Sequence, residues 1–327
     1  MSNKEILISI IMPAYNAEKT IIRAIQSVIC QNYSFWELII INDGSIDNTL
    51  NICNEYIDNK QIIIHTQNNG GLSNARNKGI DLCQGDFICF LDSDDWYEKD
   101  YLYQMIHLID KHASDLIVCN IIKHQNKNIS QSTIPNNTYV NLFHNKAFLE
   151  LFESGILNPA WNKLYRTNII KTWNLLFPNI AIVEDLAFNL RYLEHCNSVS
   201  ICNKALYHYD LSIPGLASKI SEDMFKNYLS VHALFFSMSS PEYYNTISKS
   251  IYHQYLSLTI RYINKAIVCP KNKNAIFNTI KKYHNTIFVQ HAFRSYIPKT
   301  IKESIMHYLL RFKSYHLVLE ILKNINK

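Results

Sequence analysis

Gly85-Asp-Phe-Ile-Cys-Phe-Leu-Asp-Ser-Asp-Asp-Trp-Tyr97 is an apolar run that ends in three carboxylates. A short β-branched and aromatic run bounded by a glycine predicts a buried strand over Phe87–Leu91. Asp92, Asp94 and Asp95 follow at once. Grouped carboxylates repel one another and are costly to take out of water together. A divalent cation relieves both costs, and oxygen ligands suit Mg²⁺ or Mn²⁺. Mg²⁺ is commonly held by one or two carboxylates plus substrate phosphates. The stretch reads either as a metal–phosphate site at the carboxyl end of a strand or as a solvated turn, since Asp also favours turns and helix caps.

The flanking chain favours the site. Ile6–Met12 is an Ile-rich run that predicts a first strand ended by Pro13, with Asn16 placed to cap a helix running to Gln31. Glu37–Asn42 predicts a second strand, ended by Asp43-Gly44-Ser45, and Asp47 or Asn48 can cap a helix reaching Tyr56. Gln61–Thr66 predicts a third strand, Leu72–Gln84 a helix, Lys99–His112 a helix and Leu116–Ile121 a fifth strand. Strands alternating with helices imply a mostly parallel sheet covered on both faces. Right-handed crossovers bring the strand ends to one rim, where open α/β sheets bind ligands. That rim collects Pro13–Asn16, Asp43–Ser45, Thr66–Asn69 and Asp92–Asp95. A nucleotide there could use Asp43 for a base or ribose contact and Arg76 for a polar contact. The plainer alternatives are an Asp-Gly turn and a solvated helix face.

Composition bounds the rest. The 327 residues fit one large domain or two ordinary ones. No apolar stretch approaches a bilayer span, and Met1-Ser-Asn-Lys-Glu has no signal-peptide layout. The eight Cys form no Cys-x-x-Cys pair and mostly sit in apolar runs, which reads as a reduced, cytoplasmic protein. From Ser218 onward there are 16 Lys and Arg against 5 Asp and Glu, a balance of +11; the remainder carries 16 against 22, or −6. All seven Gly lie at or before Gly215. The chain thus divides into 1–217 and a basic, Gly-free, helical 218–327. Gly-x-Gly-x-x-Gly after the first strand and the Walker A motif are both missing, which disfavours a dinucleotide dehydrogenase and a P-loop enzyme. The basic residues form no dense run, so no nucleic-acid partner is expected.

Ser9-Ile-Ile-Met-Pro-Ala-Tyr-Asn16, Ile41-Asn-Asp-Gly-Ser45, Gly71-Leu-Ser-Asn-Ala-Arg-Asn-Lys-Gly79 and Leu91-Asp-Ser-Asp-Asp-Trp96 resemble, in order and spacing, the family 2 glycosyltransferases of the GT-A fold, in particular those of bacterial capsule and lipopolysaccharide synthesis. The resemblance covers the first two-thirds of the chain. It implies inverting transfer of a sugar from a nucleotide-sugar, usually a UDP-sugar, to a hydroxyl of a glycan or lipid-linked glycan. By position it places Pro13, Tyr15, Asn16, Asp43, Arg76, Asp92 and Ser93 at the donor, with Asp43 and Arg76 at the base and Asp92 near the ribose. Asp94, aided by Asp92, would bind the Mg²⁺ or Mn²⁺ that bridges the diphosphate. Glu184-Asp185 matches a later acidic pair and makes Asp185 the general base, although acidic residues at a helix N-terminus also stabilise its dipole.

Ala160-Trp-Asn-Lys-Leu-Tyr-Arg166 resembles a further family segment. Trp161 reads as a sugar-stacking platform or a core residue, and Lys163 and Arg166 as phosphate or acceptor contacts or surface charge. Tyr207-His-Tyr-Asp-Leu-Ser-Ile-Pro-Gly215 departs from the family, with Asp210 where some branches have a basic residue. No Arg-Trp pair of the processive synthases is present, which points to one sugar per encounter. Helices are expected over Met224–Ser237, Tyr243–Val268, Ala275–Phe288 and Lys299–Asn324. The last carries Ile301, Ile305, Leu309, Phe312, His316 and Leu319 on a stripe with basic neighbours. Such a helix can lie on an anionic bilayer at the inner face of the cell membrane, or pack its stripe on protein. Two rivals are a sugar-phosphate nucleotidyltransferase, which needs a Gly- and Arg-rich loop after the first strand, and a non-catalytic glycan-binding or scaffold protein, which predicts lost carboxylates.

Overall fold

The computed structural model describes residues 5–126, 128–142, 147–180 and 183–212, then 226–227, 230–231, 255–256, 258–260, 262–263, 273–286, 289–290 and 301–325. In chain order the elements are β1 (Ile8–Ala14), α1 (Ile21–Ile29), β2 (Trp36–Asp43), α2 (Thr49–Asn54), β3 (Ile62–Gln67), α3 (Leu72–Leu82), β4 (Phe87–Phe90) and β5 (Trp96–Tyr97). Then come α4 (Tyr101–His112), β6 (Leu116–Gln125), β7 (Asn128–Gln131), β8 (Asn137–Val140), α5 (Ala147–Glu153), β9 (Lys163–Arg166), α6 (Thr167–Thr172), α7 (Glu184–Glu194) and β10 (Ser198–Asp210). Further on, the described helices are α8 (Lys273–His284), α9 (Ile301–Arg311) and α10 (Tyr315–Ile325).

One sheet runs β3-β2-β1-β4-β9-β6-β10-β5, with β7 added to β6 and β8 to β10. Strands β3, β2, β1 and β4 are parallel neighbours, and so are β6 and β10. The Ile-rich β1 and β2 are buried at every position, as parallel strands covered on both faces must be. Strand β9 is inserted antiparallel between β4 and β6, and β5 pairs antiparallel with β10. These reversed strands lie beyond the simple alternation expected from sequence. β9 has four residues and β5 two, too short to show a period of their own.

Two local expectations are corrected. Pro13 lies inside β1, opposite Ile41, instead of ending the strand. Strand β4 leaves the ladder at Phe90 opposite Ile11, so β1 has a free side where Pro13 lacks its N–H. Asn16 does not cap α1; that place belongs to Thr20. Asn16 instead takes a left-handed turn (φ 50°), accepts from the Ile46 N–H at 2.9 Å and donates its own N–H to Ser45 Oγ at 3.1 Å.

The chain forms two compact units: Met1–Ile180 with Glu184–Gly215, and Ala181–Val183 with Leu216–Lys327. The second has its own core, including Ile263, Ile280, Leu310 and Val318. The helices expected over Met224–Ser237 and Tyr243–Val268 lie largely outside the described residues. The single helix expected over Lys299–Asn324 is two helices, because Lys313 adopts φ 56° between α9 and α10. Among the described residues the Cys are free thiols, and no helix is long and apolar enough to cross a membrane.

Candidate active site

Helix α3 builds much of the site. Its start is fixed by Asp43 at the end of β2, whose buried carboxylate accepts from Gln67 Nε2 (2.8 Å), the Gly70 N–H (2.9 Å) and the Gly71 N–H (2.8 Å). Gly71 has φ 86°, a backbone that favours glycine. Near its end α3 lies so close to β1 that a Cβ on Gly79 would fall 2.3 Å from Ile11 Cγ2. Ser73, Arg76 and Asn77 share one face by their three- and four-residue spacing. Ser73 Oγ donates to Pro178 O (2.8 Å), and Asn77 exchanges two hydrogen bonds with the Phe177 backbone (2.9 and 2.8 Å). That face therefore anchors the chain leading towards α7, where Glu184 and Asp185 begin the helix.

Between those anchors stands Arg76, 1 % exposed. Its Nη1 donates to Asp185 Oδ1 at 2.5 Å and lies 3.5 Å from Glu184 Oε1, and its Nη2 donates to Asp92 Oδ1 at 2.8 Å. Its guanidinium sits 5.2 Å from the Phe177 ring centre, over a ring that stacks on Phe188. One buried cation thus faces three carboxylates. Burial pushes Glu184 and Asp185 above the usual carboxylate range, helped by Asp185 acting on Glu184 and Asp92 on Asp185, with Arg76 opposing. Asp185 Oδ2 also accepts from the Ala160 N–H at 2.9 Å.

On the far side of the acidic turn, burial and then Asp92 and Asp210 raise Asp94 to about 6. No neighbouring side chain among the described residues donates to the Asp94 carboxylate. Asp95 is fully buried and serves the framework: it accepts from Tyr207 OH (2.7 Å) and the Asp210 N–H (2.8 Å). Arg23 on α1 donates to Asp94 O (2.5 Å) and Asp210 Oδ2 (2.9 Å), with its guanidinium 3.8 Å from the Trp96 ring centre. Trp96 in turn stacks on His208, whose Nε2 lies 2.8 Å from Glu98 Oε1.

The structure brings Asp92, Arg76, Glu184 and Asp185 into contact and sets Asp94 beside Asp92. Ser93 is half-buried between them, Tyr15 and Asn16 are exposed after β1, and Pro13 is buried within it. Asp43 stays apart from the Arg76 cluster, bonded to the 67–71 loop. Arg76 likewise has carboxylates for partners, a different set from the nucleotide contact that the resemblance implies. Trp161 is 7 % exposed and stacked on Tyr207 at 4.1 Å, so the core alternative describes it. Arg166 pairs with Asp115 (2.8 Å) and lies over Phe87, with a third of its side chain exposed; Lys163 is wholly buried and is no surface charge. Arg23 escaped the sequence reading, although it is the one charged residue within α1. A hollow of about 730 Å³ between α3 and α6, lined by Asn74, Asn77, Ile170 and Leu176 among others, contains no residue of the acidic turn.

An oxygen-only pair on one turn, Asp92 and Asp94, fits a hard divalent cation. Burial first, then Asp92 and Asp210, raise the Asp94 carboxyl, with Arg23 opposing.

Residues 9–173 match the profile of glycosyl transferase family 2. EpsH of Bacillus subtilis, a protein named as a glycosyltransferase, is 34 % identical over 237 residues, 69 % of this chain and 67 % of EpsH. The glycosyltransferase GlyA of Streptococcus pneumoniae is 30 % identical over 71 % of this chain, which spans only 34 % of GlyA. The crystal structure of Staphylococcus aureus TarS 1–349 in complex with UDP-GlcNAc superposes with a TM-score of 0.72 at 21 % identity, covering 97 % of this chain and 92 % of that one.

Proposed function

The chain belongs to glycosyl transferase family 2, and on that premise we propose that it moves one sugar from a UDP-sugar to a hydroxyl of a surface glycan or lipid-linked glycan, with inversion. The observation that carries the reading is the joining of Asp92 and Asp185 through Arg76, beside an Asp94 carboxylate to which no side chain among the described residues donates. Relatives of the chain point the same way, TarS being named a poly(ribitol-phosphate) beta-N-acetylglucosaminyltransferase.

In this reading Asp185 is the general base. Arg76 and the Ala160 N–H occupy one lone pair on each of its oxygens, and a carboxylate offers about four such sites. Capacity remains to accept the proton of an incoming hydroxyl. As Asp185 takes that proton, the hydroxyl oxygen bonds to the anomeric carbon. The bond from that carbon to the diphosphate oxygen breaks, and its electron pair leaves with the nucleoside diphosphate. Asp94, with Asp92, would hold Mg²⁺ or Mn²⁺, which when bound neutralises charge on the departing diphosphate. Pro13, Tyr15, Asn16, Asp43 and Ser93 would frame the donor. Donor binding and catalysis are assigned to 1–217.

Incubation with UDP-sugars and Mn²⁺, followed by assay of released UDP, tests the activity. Asp185→Asn should bind donor and lose about 10²–10⁴ in transfer rate. Transfer at the native rate would remove the base assignment.

For residues 218–327 we propose contact with an anionic bilayer. Ile305, Tyr308 and Phe312 recur on one side of α9 and its following turn and are 47, 61 and 61 % exposed, with Arg311 and Lys313 alongside. Sedimentation with phosphatidylglycerol vesicles should be strong at low salt and weaken as salt rises. Absence of binding at low salt overturns this partner.

A further inference from the structure

Lysine is the most water-seeking of the basic side chains, and Lys163 at the start of β9 is completely buried. Its Nζ donates to Ile156 O (3.0 Å), Asn162 Oδ1 (2.8 Å) and Pro159 O. Burial pulls its pKa down to about 7, with Asp185 and Cys119 pulling the other way. Three acceptors match the three N–H bonds of an ammonium. A neutral amine would turn its lone pair on an oxygen, so the pocket is built around the charged form.

All three acceptors belong to one turn, residues 156–162. Asn189 of α7 grips the same turn, with Nδ2 near Leu157 O (2.8 Å), Asn158 O (3.0 Å) and Pro159 O (3.1 Å). Its Oδ1 accepts from Tyr165 OH at 2.6 Å. Asn162 Nδ2 ties the turn to Cys119 O at 2.9 Å. What the turn delivers to the site is the Ala160 N–H on Asp185 Oδ2.

We propose that Lys163 is a positioning residue for sugar transfer: its buried charge clamps the 156–160 turn, and the turn, through the Ala160 N–H, sets the orientation of Asp185. This rests on Asp185 being the base. The groups that face Asp185 are Arg76 from α3, Asp92 after β4, Glu184 on its own helix, Lys163 and Tyr165 from β9, and Tyr209 from β10. Lys163 faces Asp185 and Cys119. It is the second cation beside Asp185, so its removal changes charge as well as geometry.

The test compares Lys163→Met, Asn189→Ala and Asp185→Asn in the full chain, by kcat, donor KM and the pH–rate profile. Lys163→Met should lower kcat by about 10–100-fold with donor KM unchanged, the size of loss that a small misplacement of a catalytic group brings. Loss of the cation also raises the Asp185 pKa, so the acid limb of the profile should move to higher pH. Asn189→Ala loosens the same turn without removing charge, and should lower kcat while moving that limb less than Lys163→Met does. A native kcat in Asn189→Ala overturns the proposal even if Lys163→Met does not fold. So does a folded Lys163→Met with native kcat, or one in which kcat and KM change together and the limb stays fixed. If Asp185→Asn transfers at the native rate, the base reading itself has failed; an inactive Asp185→Asn beside an active Lys163→Met sinks the lysine inference alone.

Discussion

Two arginines flank the acidic turn, and they are used in opposite ways. Arg76 is 1 % exposed and faces three carboxylates. Arg23 has a side chain 39 % exposed and one carboxylate partner, Asp210, with a backbone carbonyl and an indole face for the rest. Both leave a buried Nε without a hydrogen-bond partner. Around Arg76 negative charge exceeds positive in a buried place, and the Glu184 and Asp185 carboxyls are pushed up. Around Arg23 one ion pair forms, with Asp210, and water is near. The same residue type therefore organises a reactive cluster on one side and fastens two segments together on the other.

The largest expected effect follows from removing each cation in turn. Arg76→Met leaves three carboxylates buried without their partner, which should cost on the order of 3–5 kcal/mol in urea unfolding at pH 7. Arg23→Met should cost about 1 kcal/mol, since its ion pair is half in water and its cation–π contact is modest. Equal costs would break the contrast.

The next effect is one of sign. Burial and then Asp185 raise the Glu184 pKa in the folded state, with Arg76 opposing. A raised carboxyl contributes stability below its unfolded pKa and loses it as pH rises through the folded value. Glu184→Gln cannot ionise and escapes that loss. It should be more stable than the native chain by on the order of 1–2 kcal/mol at pH 8, and the gain should vanish towards pH 4.5. A gain that grew on acidification would show that Arg76 outweighs the repulsion.

The contrast also marks where the sequence could be read. Strands β1 to β4, helix α3 and the acidic turn announce themselves through local runs of Ile, Gly and Asp, and the family motifs lie on them. The Arg76 cluster was only half visible: each member stood out, but Arg76 and Asp185 meet across 109 positions, and no local pattern encodes that. Asn77 and Ser73 carry no signal of their own in the sequence, yet they hold Phe177 and Pro178 a hundred residues on. Lys163 and Arg23 were hidden for a related reason. A lone Lys and a lone Arg read as solvated charge, because their partners, the carbonyls of the 156–159 turn for Lys163 and Asp210 of β10 for Arg23, are set by the folded backbone and not by a local pattern.

The smallest expected effect belongs to Asp210. Burial by itself would raise its carboxyl, but the hydrogen bonds from Ser212 and Arg23 outweigh it and hold the pKa below the usual value. A lowered carboxyl has the opposite linkage from Glu184: its stability is present above the unfolded pKa and disappears as pH falls through the folded one. Asp210→Asn should therefore cost at most about 1 kcal/mol at pH 7, since Arg23 is more than a third exposed and water screens the pair. The cost should fade below about pH 3, where the native carboxyl is protonated as well. A double-mutant cycle with Arg23→Met isolates the pair from the backbone bond that Arg23 also makes to Asp94. Coupling of several kcal/mol, or a cost that persisted in acid, would mean that the Arg23 side is as dry and as charged as the Arg76 side.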